Sequence, residues 1–125
     1  MPFTTGLVTN TRATGTAATN VAVNTRNITS TPIQVLIEVY IVPPFTNSLT
    51  LIYVNGYTLA GHSSDTHLFS VAGNIAWEVQ LNATGLLSEV AFSVYGLDEF
   101  GNLVPGQNIK VTDWMPITAF STPIV

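Results

Sequence analysis

The chain has 125 residues, a length that fits one domain of roughly 100–150 residues and lets a core form without disulfide or metal help. Only 8% of its residues are charged, against roughly 25% in an average soluble domain, while 46% are apolar. Its cations are Arg12, Arg26 and Lys110 and its net charge is −4, so it lacks the clustered Lys and Arg that nucleic acid or an anionic membrane surface would require.

Residues 1–16 are small, polar and punctuated by glycine; only Phe3, Leu7 and Val8 are bulky and apolar. They read as an extended N-terminal arm, set off by Gly15 and a run of Thr and Ala from a domain over residues 17–125. From there the pattern changes to short β-rich runs broken by turn residues. Residues 18–26 place Val21 and Val23 on alternate positions, and residues 27–32 form a turn cluster. Residues 32–42 are the strongest strand, with Ile33, Val35, Ile37, Val39 and Ile41 on one face and Gln34, Glu38 and Tyr40 on the other. Pro43-Pro44 ends it, since proline cannot donate to a ladder.

Residues 49–54 and 57–60 read as two strands joined at Asn55-Gly56, a dipeptide suited to the positive φ of a two-residue hairpin. Residues 61–65 then form a loop and 66–72 a strand. After Gly73-Asn74, residues 75–82 put Ile75, Trp77, Val79 and Leu81 on one face and Glu78 and Gln80 on the other. Residues 84–87 turn again, and 89–95 aim Val90, Phe92 and Val94 inward. A turn at 98–102, a returning strand at 103–113 and an extended segment at 115–120 complete the chain. No stretch keeps a helical period over three turns. The expected fold is therefore all-β: two antiparallel sheets in a jelly-roll-like sandwich of about eight strands, with the extended arm in front.

Reactive groups concentrate only in residues 61–67, which hold His62, Ser63, Ser64, Asp65 and His67. A catalytic triad draws its members from different elements, so neighbours on one loop are expected to be a solvated turn. His62, Asp65 and His67 could ligate zinc, but no fourth ligand can be named. Glu38, Glu78 and Glu89 occupy outward strand positions without the cleft and stacking aromatics that glycoside hydrolysis needs. Trp77 belongs to the core; Trp114 is either edge packing or a sugar or interface platform. The acceptor patterns at Asn27 and Asn82 arise easily by chance in so Asn- and Thr-rich a chain. No catalytic, cofactor-binding or metal-ligating residue is assigned, and neither enzymatic activity nor a small-molecule substrate is expected.

The surface is more telling. Exposed sheet edges invite pairing with other chains, and natural monomers guard them with lysines, bulges or inward charges. This chain has one lysine. An extended arm added to a neighbour's sheet gains main-chain hydrogen bonds and side-chain pockets, with Phe3, Leu7 and Val8 as the anchors here. Head-to-tail donation of this kind builds a homo-oligomeric ring or helical filament. The chain contains no cysteine, no apolar run long enough for a spanning helix and no evident signal peptide, so membrane insertion is not expected.

Three segments carry a family resemblance: Trp77-Glu78-Val79-Gln80-Leu81; then Val90 through Asp98, with its V-x-V-x-G pattern closing on Gly96; then Gly101-Asn102-Leu103-Val104-Pro105-Gly106-Gln107. Together they resemble the bacterial endospore appendage subunits and their spore-former relatives. The resemblance implies a jelly-roll sandwich that polymerises through an N-terminal connector into fibres on the spore surface, released by mother-cell lysis rather than by the general secretion route. The best-known appendage subunits crosslink through connector cysteines, which this chain lacks. A sugar- or ligand-binding module and a virion tail or decoration subunit are the alternatives.

Overall fold

The alternating pattern becomes ten strands in the computed structural model, which describes residues 2–85 and 89–121. In chain order they are β1 (Phe3–Thr4), β2 (Val8–Thr9), β3 (Asn20–Asn27), β4 (Ile33–Val42), β5 (Thr50–Leu59), β6 (Ser63–Ser70), β7 (Ala76–Ala83), β8 (Val90–Leu97), β9 (Leu103–Ile109) and β10 (Met115–Pro116). One sheet runs β10-β1-β7-β4-β5, with β2 also paired to β7; the other runs β6-β3-β8-β9. All named pairings are antiparallel. The one helical element among the described residues is a 3-10 turn over Val111–Asp113. The chain is thus the expected all-β, two-sheet sandwich.

The core lies between the sheets because each inner face is a period-2 apolar row. Val35, Ile37, Val39 and Ile41 of β4, with Trp77, Val79 and Leu81 of β7, form one wall. Val21 and Val23 of β3, with Val90, Phe92 and Val94 of β8, form the other. Each is buried, and burying a side chain of this size stabilises the fold by roughly 1.5–3 kcal/mol.

The structure differs from several of these expectations. The first concerns the arm: residues 3–4 and 8–9 are strands of the sandwich itself, with Phe3 opposite Leu81 and Val8 opposite Trp77. Without them, β7 would present an unpaired edge beyond β4, and the arm fills that place.

The second concerns Asn55-Gly56, which runs straight through β5 instead of turning. Leu51, Tyr53, Asn55, Tyr57 and Leu59 keep one unbroken alternation, and β4 supplies a partner to every residue of β5 but Ile52, so tertiary pairing overrides the local turn signal. The chain turns at Gly61 and His62 instead. A Cβ at Gly61 would stand 2.6 Å from the Ser30 backbone, a closeness only glycine allows, and His62 takes a φ of 54°.

The third concerns residues 63–65, which belong to β6 rather than to a loop. The returning strand after residue 103 also stops at Ile109. Of the turn expected at 84–87, residues 86 and 87 lie outside the described residues.

Candidate functional site

The reactive cluster of the sequence is divided by the fold. Asp65 and His67 are two apart on β6, so they point the same way, and Asp65 Oδ2 lies against His67 Nδ1. His67 packs against Tyr57 with ring centroids 4.6 Å apart, and Tyr57 Oη shares a hydrogen bond of 2.8 Å with Thr25 Oγ1. Burial raises the Tyr57 hydroxyl above its ordinary pKa. His62 sits outside this set, in the turn before β6. No group of three His, Cys, Asp or Glu side chains among the described residues is placed to hold a metal ion.

Glu38 and Glu78 do lie on the outward face, yet both are buried, as are Tyr40 and Gln80. The segment after β10 passes over this face: Ser121 donates its N–H to Gln80 Oε1 at 2.8 Å and accepts from Gln80 Nε2 at 2.8 Å. Beneath it Gln80 donates to Glu78 at 3.0 Å, Tyr40 donates to Glu38, and Thr4 of the arm donates to Glu78. Trp114 is buried edge-on against Phe92, with centroids 4.8 Å apart, which places it in the core; its indole N–H has no hydrogen-bond partner among the described residues. Asn27 is buried too, and its amide donates to the Thr31 and Ala60 carbonyls at 2.8 and 3.2 Å.

Many of the remaining polar contacts converge on the arm. Thr5 N–H donates to the Val79 carbonyl at 3.0 Å, and Val79 N–H donates to Thr5 Oγ1 at 3.1 Å. Asn10, fully buried, accepts from Ala18 N–H at 2.7 Å and donates to the Ala18 and Asn74 carbonyls, each at 3.1 Å. Gln107 donates to the Thr9 carbonyl and to Asn10 Oδ1, each at 3.0 Å, while Trp77 donates its indole N–H to Gln107 Oε1 at 3.2 Å. A glycine bulge makes this reach possible: Gly106 takes a φ of +82°, and the β8–β9 register shifts between Tyr95 and Leu97. Room for Gln107 comes from Gly96, where a Cβ would stand 2.0 Å from Gln107 Oε1.

Phe3 packs tilted against Phe92 at 5.8 Å and Val8 packs against the core, whereas Leu7 is 60% exposed. Phe3 and Val8 thus make their apolar contacts within their own chain, and Leu7 faces an open groove of about 420 Å³ between the arm and β9. Arg12, in the turn after β2, grips Glu99 in the turn between β8 and β9 with both terminal guanidinium nitrogens. That hydrogen-bonded pair raises the Arg12 pKa and lowers the Glu99 pKa.

Sequence reasoning did not single out Asn10, Arg12, Glu99 or Ser121. Glu78, Gln80, Gly96 and Gln107 did stand in the motif segments. Glu78 and Gln107 bond to the arm, Gln80 bonds to Ser121, and Gly96 makes room for Gln107. No protein-family model, no curated protein and no solved structure matches the chain.

Proposed function

We propose that this chain is a jelly-roll-like, self-assembling structural subunit of a protein fibre on a cell or spore surface, without a catalytic role, as its resemblance to the endospore appendage subunits implies. The observation that supports this best is β5, the terminal strand of its sheet. The other long edges carry guards: β6 turns Asp65 and His67 inward, and β9 holds Pro105 and the Gly106 bulge. A register shift breaks β5 near Ile52, but residues 53–59 pair regularly with β4 and contain no charge and no proline. Val54 among them is 60% exposed. Such an edge is more stable paired with another copy than left in water.

The arm supplies the second contact. Its strands occupy a slot in their own sheet, yet the partners of residues 3–10 are backbone groups and uncharged side chains together with Glu78, and a neighbour's arm would offer them the same surface. Opening the turn at 12–15, closed by the Thr11–Thr16 bridge, would turn self-docking into exchange between subunits. Negative-stain microscopy of the purified protein tests the reading: fibres support it, and monodisperse single subunits at millimolar concentration refute it.

A further inference from the structure

We propose, resting on the arm-exchange reading above, that the Arg12–Glu99 ion pair is an electrostatic latch that sets how fast the arm leaves its own sheet. Arg12 uses every part of its guanidinium at the hinge. Its Nε donates to the Thr14 carbonyl at 2.6 Å, which holds the turn in shape, and its two terminal nitrogens reach the two Glu99 oxygens, one of them at 2.9 Å. Gly15, at a φ of +69°, lets the turn close beneath the guanidinium. The receiving side is stiff, because Asp98 Oδ1 accepts the N–H groups of Phe100 and Asn102 at 2.9 Å each. The pair thus ties the arm's hinge, on one sheet, to the β8–β9 turn of the other.

Its chemistry differs from the other contacts that hold the arm. Thr4, Thr5, Asn10 and Gln107 make buried or part-buried hydrogen bonds that dissolved ions cannot screen. Arg12 and Glu99 are each 39% exposed, within reach of salt. Asp98 also faces Arg12, and the neighbouring wall of Ala17, Leu103, Val104 and Pro105 adds no charge. The chain has three Arg and Lys residues in all, and one of them is placed here. Because pairing lowers the Glu99 pKa in the folded chain, the latch is fully closed above the ordinary carboxylate range and opens as pH falls through the folded value. Salt opens it as well, since screening shortens from about 10 Å at 0.1 M to about 3 Å at 1 M.

The test uses the full chain and a fluorescent peptide of residues 1–11, whose capture requires the resident arm to leave. At about 20 mM salt, Glu99→Gln should capture the peptide roughly two- to fivefold faster than the parent, as loss of an exposed pair implies. Raising salt to about 500 mM should bring the parent up to the rate of E99Q and leave E99Q nearly unchanged. The charge-swapped variant R12E/E99R should restore slow capture. Equal rates and equal salt dependence for parent and E99Q would overturn the latch while leaving arm exchange intact. Absence of capture by either protein under any of these conditions would overturn arm exchange, and the latch with it.

Discussion

Gly96 and Gln107 fit together as space and filler: the hydrogen that replaces a side chain at Gly96 leaves room for the Gln107 carboxamide, whose oxygen would lie 2.0 Å from a Cβ there. The first prediction follows from that closeness. Gly96→Ala should push Gln107 off Trp77 and Asn10 and cost about 3 kcal/mol, from overpacking together with stranded polar groups. Gln107→Ala should cost about 2 kcal/mol alone. The double variant should lose clearly less than the sum, because one contact is counted twice. Urea denaturation of the four proteins reads this; strict additivity would show the two residues to be independent.

Asn10 joins the arm to three other segments through one carboxamide. Asn10→Ala should destabilise the chain by about 2 kcal/mol, the cost of leaving buried partners unmet. It should also loosen the arm before the core. Amide exchange at Thr5 and Asn10 should therefore quicken, while exchange at Glu38 and Val39 of β4 holds at the parent's rate. Uniform quickening would place the arm and core in one cooperative unit.

The unguarded edge of β5 leads to a third prediction. Val54 and Thr58 are exposed, so Val54→Lys with Thr58→Lys should leave the melting temperature within a few degrees of the parent. The same pair of lysines should abolish assembly seen by sedimentation, because charges on an edge repel a second strand. Undiminished assembly would exclude β5 as a contact.

Tyr57 governs the behaviour in alkali. Burial raises its pKa in the folded chain above the unfolded value near 10, so its neutral form is favoured by the fold. That contribution is fully present below the unfolded value and is lost as pH rises through the folded pKa. Tyr57→Phe should therefore flatten the decline of melting temperature between about pH 9 and 11, while losing about 1 kcal/mol at neutral pH with the Thr25 hydrogen bond. An unchanged alkaline slope would assign that decline to other groups.

The sandwich was legible in the sequence wherever alternation was strong: the inward rows of residues 33–41, 77–81 and 90–94 are the core. Asn55-Gly56 misled because a two-residue turn signal is local, while β5 pairs with β4 at every residue but Ile52. The arm's place was hidden for a related reason. Thr4, Thr5 and Asn10 dock through hydrogen bonds, which leave no apolar period to read. Gln107 was hidden by the bulge at Gly106, which breaks the period-2 rule where the side chain turns inward. Gln80, buried on the same outward face as Glu38 and Glu78, finds its partner in Ser121, some forty residues further along the chain, a contact that no local pattern announces.

Exchange of the arm between subunits is tested most directly with a cysteine pair, since the native chain has no cysteine to confuse it. Thr9 and Ala76 stand opposite each other in the β2–β7 ladder, within the Cα separation a disulfide spans. Thr9→Cys with Ala76→Cys, assembled and then oxidised, should run as a ladder of covalent multimers on a non-reducing denaturing gel, whereas Thr9→Cys alone gives dimers at most. A single monomer band carrying the internal disulfide would contradict exchange of the arm.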